Sequence, residues 1–127
     1  MPSHLPPLHL LLTGPGRIGA GLAPLLRADG HTLRILTRAD YGDFADPAFD
    51  PRTAVDALPE APAPDAILHL AGLFQIGPAA DPDRLLRANA LGPIALAQAL
   101  HARFPRAHHI LFLDAREVYT PVSRKVN

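Results

Sequence analysis

The chain has 127 residues, enough for one domain with one buried core and too few for two ordinary domains. Apolar residues make up 48% and charged residues 19%, a globular balance that excludes disorder throughout. The 12 basic and 12 acidic residues cancel, which argues against nucleic-acid or membrane partners, and the absence of cysteine excludes a disulfide scaffold and fits a cytoplasmic protein.

The first part of the chain reads as a strand followed by a helix. Residues 8–13 form a short apolar run that ends in glycines, which predicts a strand buried on both faces of a parallel sheet. Between Ile18 and Leu26 apolar residues recur at helical spacing, and Pro24 should disturb that helix. No apolar run approaches the roughly 20 residues that span a bilayer.

The middle of the chain contains two further strand patterns. Residues 32–37 alternate and are β-prone, so they predict a second strand. From Arg38 the chain becomes rich in Asp, Pro and Ala, with a possible short strand at 43–44 and a short helix at about 52–58. Residues 66–70 form another apolar run before glycine, which predicts a buried strand near the first.

The last part repeats the alternation of helix and strand. Asp81-Pro82 has the form of a helix start, Gly92-Pro93 should kink or divide that helix, and residues 110–113 read as the last strand. One helical stripe would contain Leu85, Asn89, Gly92, Leu96 and Leu100. We therefore expect a single α/β domain, with a Rossmann-like, doubly wound, mostly parallel sheet of about five strands.

The glycine turn after the first strand is the most informative motif. Residues 14–19, G-P-G-R-I-G, match G-x-G-x-x-G between a predicted strand and a predicted helix, the context in which the pattern binds the pyrophosphate of a dinucleotide. The alternative is a tight turn without a ligand. Arg38 follows the second strand, where a guanidinium favours the 2′-phosphate of NADP over NAD, although it could equally be a solvated side chain.

The chain resembles the short-chain dehydrogenase/reductase superfamily, in particular its extended branch of NAD(P)-dependent epimerases and dehydratases and its atypical members. The resemblance covers residues 8–121 and rests on six motifs in order. These are L-L-T-G-P-G-R-I-G at 11–19, L-R-I-L-T-R at 33–38, G-D-F-A-D-P at 42–47, I-L-H-L-A-G at 67–72, R-A-N-A-L-G at 87–92 and I-L-F-L-D-A-R-E-V-Y at 110–119.

The resemblance implies a role for each cofactor-binding segment. The glycine turn would hold the pyrophosphate, Arg38 would meet the adenosine ribose or its phosphate, and Asp43 and Phe44 would flank the adenine. Residues 70–72 would line the nicotinamide-side ribose, and Asn89 would support the active site through its backbone and a water. The implied cofactor-binding residues are Gly14, Gly16, Arg17, Ile18, Gly19, Arg38, Asp43, Phe44, Leu70, Ala71, Gly72 and Asn89.

The sequence also departs from the family pattern. Its glycine turn is one residue shorter than T-G-x-x-G-x-x-G, and residues 113–116 lack the hydroxyl of the family's catalytic serine. No tyrosine stands four residues before a lysine, since Tyr119 and Lys125 are six apart with Pro121 between them. We therefore assign no catalytic residue, and expect residues 1–127 to be an NAD(P)-binding domain that lacks the catalytic helix and the substrate-binding part.

Three functions remain open at this point. The first is the NAD(P)-binding domain of an epimerase, dehydratase or reductase acting on a small or sugar-nucleotide substrate, without full activity as this chain. The others are a non-catalytic NAD(P)-binding sensor or partner subunit, and a Rossmann fragment without a ligand. We expect no metal site, we expect His69 to be packed or adjacent to the cofactor, and we expect self-association through an exposed sheet edge or helices.

Overall fold

The computed structural model describes residues 6–14, 16–70 and 81–111, with the side chain of Arg17 left out. The expected contacts of Ala71 and Gly72, the end of the last strand and Tyr119 lie outside these ranges.

Four parallel strands form the described sheet. They are β1 (His9–Thr13), β2 (Thr32–Leu36), β3 (Ala66–His69) and β4 (His108–Leu111). Their order is β2-β1-β3-β4, so β1 pairs with both β2 and β3. The register places Leu11 beside Arg34 on one side and Ile67 on the other. The predicted Rossmann-like α/β fold is confirmed.

Helices connect the strands and cover both faces of the sheet. They are α1 (Gly16–Ala28), α2 (Arg38–Tyr41), α3 (Arg52–Asp56), α4 (Pro82–Leu86) and α5 (Gly92–Arg103), with a π-helical turn at Arg87–Leu91 between the last two. Leu22 and Leu26 of α1 pack on the face that carries Leu10 and Leu12. No helix in the described part of the chain is long and apolar enough to cross a membrane.

The opposite face of the sheet carries the larger core. Leu11 and Ile67 point into it, and α3 and α5 cover it with Val55, Leu96 and other buried side chains. Because β1 alternates its residues between the two faces, every residue from Leu10 to Thr13 is buried, as its apolar run predicts.

The predicted strand at residues 43–44 is wrong. The Asp43 carboxylate accepts a hydrogen bond from the Ala45 N–H at 2.9 Å, and the Asp43 carbonyl accepts one from Asp46 N–H at 3.1 Å, so the chain turns instead of pairing with β2. Phe44 is buried among other aromatic rings. The described sheet therefore has four strands instead of about five.

The Gly92-Pro93 break produces a widened turn in place of a simple kink. Pro93 has no N–H to donate to the Asn89 carbonyl, and the Gly92 N–H instead bonds the carbonyl of Arg87, five residues earlier. A wider turn rotates less per residue, so Ala88 is buried and Asn89 is exposed. The predicted stripe is thus correct from Gly92 onward and wrong at Asn89.

The last strand begins two residues earlier than predicted. His108 and His109 pair with Ala66 and Ile67 of β3, so the two histidines belong to β4. The sequence pattern favoured a start at Ile110 because histidine has no strong strand preference, whereas parallel pairing with the buried β3 decides the register here.

Candidate functional site

The carboxyl ends of β1, β2 and β3 meet at one edge of the sheet. In open parallel sheets, ligands bind outside the carboxyl ends of the strands, at the point where the strand order reverses. Here β1 lies between β2 and β3, so such a reversal occurs directly beyond Thr13. The segments that follow these strand ends therefore surround the expected ligand position.

The glycine turn lies at this edge, between β1 and α1. Gly14 and Gly16 have φ angles of 58° and 49°, which residues with a side chain rarely adopt. The Gly14 N–H donates to the Leu36 carbonyl at 2.8 Å. A Cβ built on Gly16 would meet no atom of the described residues within 4 Å, so among these residues the space beside the start of α1 is open. Gly19 is buried and Ile18 is 40% exposed.

This geometry fits a dinucleotide phosphate. The 13-residue helix α1 starts at Gly16 and has no acidic residue in its first turn, so its unpaired N–H groups and its dipole favour an anion there. The open space at Gly16 is where a side chain would obstruct a ligand that approaches the backbone. The glycine turn is one residue shorter than the T-G-x-x-G-x-x-G of the family that the chain resembles. It still has the positive φ angles at Gly14 and Gly16 and the helix start without an acidic residue.

A capping box fixes the segment that follows β2. The Thr37 hydroxyl accepts from the Ala39 N–H at 3.2 Å, and the Asp40 carboxylate accepts from the Thr37 N–H at 2.8 Å. Both bonds set the start of α2, whose first residue is Arg38. The sequence signal for this feature is T-R-A-D at residues 37–40, which matches the capping pattern S/T-x-x-D/E.

The structure brings together Arg38 and Asp43, two of the implied adenosine-side residues. Nη2 of Arg38 lies 3.7 Å from Oδ2 of Asp43, and the two side chains are 71% and 41% exposed. An ion pair this exposed is weak, so Arg38 can turn toward another anion at little cost. The ion pair therefore lies at the edge of the sheet where the adenosine is expected, and it does not keep Arg38 from binding another anion.

Phe44, in contrast, lies in the core. Its ring stacks on Tyr41 with centroids 4.9 Å apart and meets Phe49 edge-on at 5.2 Å. It also lies against the backbone of Gly92, where a Cβ would come within 2.8 Å of its ring. Burial raises the pKa of the Tyr41 phenol to about 12, and this hydroxyl has no hydrogen-bond partner among the described residues. Phe44 thus anchors the loop that carries Asp43, and its ring does not line an open surface.

Leu70 lies beside the end of β1, and Asn89 lies in the turn between α4 and α5. The Leu70 N–H donates to the Thr13 carbonyl at 3.0 Å, which extends the β1–β3 pairing beyond the end of β3. Asn89 is exposed in the π-helical turn. Such turns occur often at functional sites, because they depart locally from the regular helical hydrogen-bond pattern.

A histidine cluster at the end of β3 was not predicted. His69 is 5% exposed, and its Nε2 lies 2.9 Å from Nδ1 of His109 on β4. The ring of His101 on α5 meets His109 edge-on at 5.8 Å. These residues are far apart in sequence, and the pairing of β3 with β4 brings them together, so no local pattern could reveal them.

Burial sets the protonation of this cluster. It lowers the pKa of His69 to about 4, with a smaller contribution from His109, and burial followed by His101 lowers the pKa of His109. His69 is therefore neutral near pH 7. No group of three or more possible metal ligands occurs within the described ranges.

Comparison with solved structures supports the same fold. A short-chain dehydrogenase/reductase superfamily protein from Agrobacterium tumefaciens with bound NAD is 27% identical, with a TM-score of 0.61 over 88% of this chain and 34% of that one. The dTDP-4-dehydrorhamnose reductase of Bacillus anthracis, in complex with NADP, is 19% identical, with a TM-score of 0.61 over 84% of this chain and 36% of that one.

A uronate dehydrogenase from Agrobacterium tumefaciens is 22% identical, with a TM-score of 0.55 over 82% of this chain and 40% of that one. The chain thus spans little more than a third of the length of these proteins. No curated protein matches it significantly. The sequence profile described as the NAD dependent epimerase/dehydratase family matches residues 10–126, and the chain belongs to that family.

Proposed function

We propose that the chain binds NADP, with NAD as the alternative, across the carboxyl edge of β1. The observation that carries this proposal is the glycine turn. Gly14 and Gly16 have positive φ angles where α1 starts, and no atom of the described residues lies within 4 Å of a Cβ built on Gly16. Membership of the family and the NAD-bound superfamily protein support a nicotinamide dinucleotide as the ligand.

Each segment at this edge has a task in the proposed complex. The backbone of Gly14, Gly16, Arg17, Ile18 and Gly19 binds the pyrophosphate, and Leu70, with Ala71 and Gly72 beyond it, lines the nicotinamide-side ribose. Arg38 pairs with the 2′-phosphate of NADP, and Asp43, on the loop anchored by Phe44, flanks the adenine. Asn89 supports the nicotinamide end from the π-helical turn. The bound nicotinamide supplies hydride transfer, and these residues supply binding and orientation.

Arg38 is the reason for preferring NADP. Its guanidinium is exposed and its partner Asp43 is 3.7 Å away, so a 2′-phosphate could compete for it. Asp40, the nearest acid after β2, is held at the helix cap by the Thr37 N–H. A carboxylate engaged in this way is less available to the ribose hydroxyls of NAD.

The chemistry of the complete protein, we propose, is redox or epimerisation of a small or sugar-nucleotide substrate, as the family implies. This chain contributes the cofactor site to that chemistry. Without the serine and the tyrosine–lysine pair of the family pattern, we expect no turnover by this chain alone. A cytoplasmic location and self-association belong to the same proposal, the first resting on the absence of cysteine.

Calorimetric titration with NADPH and NADH tests the proposal. Native protein should bind NADPH saturably, Gly16→Val should lose binding of both nucleotides, and Arg38→Ala should lose NADPH selectively. Gly21→Ala is the matched glycine control, since a Cβ there also meets nothing but lies along α1 away from the turn. Thermal unfolding of each variant separates lost binding from lost folding. Native protein that binds neither nucleotide would overturn the proposal.

A further inference from the structure

A cavity of about 310 Å³ lies at the amino-terminal edge of the sheet. It is open to solvent on one side and is lined by the loop before β3, with Glu60 and Pro64, and by the end of α5 and the turn that follows it, with Arg103, Phe104 and Arg106. Because the strands are parallel, the starts and the ends of β3 and β4 lie at opposite edges. This cavity is therefore separate from the glycine turn, and its volume is at the lower end of the range for ligand pockets, roughly 300–1,000 Å³.

Arg103 is held in place at the wall of this cavity. It is the last residue of α5, its Nη2 donates to the Leu58 carbonyl at 2.6 Å, and its Cζ lies 5.6 Å from the centre of the Phe104 ring. Its Nε is buried and has no hydrogen-bond partner among the described residues. The guanidinium is thus held in a fixed position at the cavity wall, where its positive charge favours an anion.

The charges of the cavity wall favour an anion. Arg103 and Arg106 contribute two positive charges, and Glu60 is the one acidic residue in the wall. Neither arginine forms an ion pair within the described ranges, where the ion pairs are Arg38–Asp43 and Arg52–Asp50. The two arginines outnumber the single glutamate, so the wall carries a net positive charge.

The remaining wall is apolar and rigid. Pro64 and the largely buried Phe104, which is 7% exposed, flank the arginines. Proline and a largely buried aromatic ring lose little conformational freedom when a ligand packs on them. We propose that this cavity binds a small organic carboxylate, whose charged group pairs with Arg103 and Arg106 and whose apolar body packs against Pro64 and Phe104.

Titration of the full chain with three probes, followed by amide chemical shifts, tests this site. Benzoate should bind saturably and move the signals of residues 60–64 and 103–107. Benzamide has nearly the same shape without the charge, and should bind about tenfold more weakly because the guanidinium pairs with the charge. Inorganic phosphate should also bind more weakly than benzoate, since it makes no use of the apolar wall.

Variants separate this site from nonspecific attraction. Arg106→Gln should weaken benzoate about tenfold, while Arg84→Gln, an exposed arginine on α4, should leave it unchanged. Arg103→Gln is less useful, because Arg103 also bonds the Leu58 carbonyl and its loss could unfold the chain. Absence of saturation, equal binding of benzamide, tighter binding of phosphate, or an unchanged Arg106→Gln variant would each overturn the proposal.

Discussion

Nε2 of His69 lies 2.9 Å from Nδ1 of His109, with the two ring planes only 6° apart. This hydrogen bond links the buried end of β3 to the exposed strand β4. One ring must donate and the other must accept, so the bond requires that at least one ring be neutral. Protonation of both rings would place two like charges in contact, one of them on the buried ring of His69.

The first prediction concerns pH. The folded-state pKa of His69 is about 4, against an ordinary value of 6.5, so the unfolded chain binds more protons between these values. The free energy of unfolding should therefore fall as the pH is lowered from 6.5 to 4, with a contribution from His69 of at most about 3 kcal/mol.

Urea unfolding of native protein and His69→Gln across this range isolates that contribution. The variant should show a shallower dependence of unfolding free energy on pH, whatever its absolute stability. His108→Gln, which changes an exposed histidine on the neighbouring strand β4, should keep the native dependence. Equal slopes in native protein and His69→Gln would contradict a buried, neutral His69.

The second prediction concerns the contact between Phe44 and Gly92. A Cβ at residue 92 would lie 2.7 Å from Cγ and 2.8 Å from Cδ1 of Phe44, which cannot move away from a packed aromatic cluster. Gly92→Ala should therefore destabilise the protein by about 1–3 kcal/mol. Gly21→Ala, where the Cβ meets nothing, should stabilise it by about 0.5–1 kcal/mol through helix propensity. Chemical denaturation measures both, and similar effects in the two variants would disprove the contact.

The third prediction concerns the capping box. Thr37→Ala removes the acceptor for the Ala39 N–H and should lower the unfolding free energy by about 0.5–2 kcal/mol. Thr53→Ala changes an exposed threonine within α3 and should alter it by less than about 0.5 kcal/mol. Thermal and urea unfolding compare the two threonines directly, and an unaffected Thr37→Ala would show that the cap contributes nothing.

The fourth prediction concerns Asp43 and rests on the proposed function. Asp43→Asn keeps an oxygen for the Ala45 N–H and loses only the exposed ion pair, so stability should change by less than about 1 kcal/mol. Removal of the carboxylate leaves Arg38 more available to a 2′-phosphate. Calorimetry should then show tighter NADPH binding relative to NADH, and Asp46→Asn, on the same loop, is the control. An unchanged ratio of NADPH affinity to NADH affinity would show that Arg38 does not determine which cofactor binds.

The fifth prediction concerns self-association. Leu86, Leu91 and Ile94 are 55%, 50% and 52% exposed along α4, the π-helical turn and α5. Apolar exposure of this extent favours association. Light scattering should give a mass above the monomer that rises with concentration, and Ile94→Gln should reduce it more than Leu25→Gln on α1 does. A monomer at every concentration would exclude association through this surface.

Local patterns were sufficient for most of the fold. The buried apolar runs of β1 and β3, the glycine turn and the cap at Asp81 each depend on interactions within a few residues, so the sequence alone indicates them. The same patterns failed at residues 43–44, where an aspartate turn and aromatic burial exclude strand pairing. They failed again at His108, where pairing with β3 sets the start of β4.

The sequence by itself determined the α/β class, the order of strands and helices, and the location of the glycine turn, because these follow from short-range periodicity and from the backbone freedom of glycine. Only the tertiary structure decided that His69 meets His109, that Phe44 packs on Gly92, and that Arg103 borders a cavity. These relationships join residues between 40 and 48 positions apart, or enclose a space between separate segments. They arise from strand pairing and helix packing, which no local sequence pattern encodes.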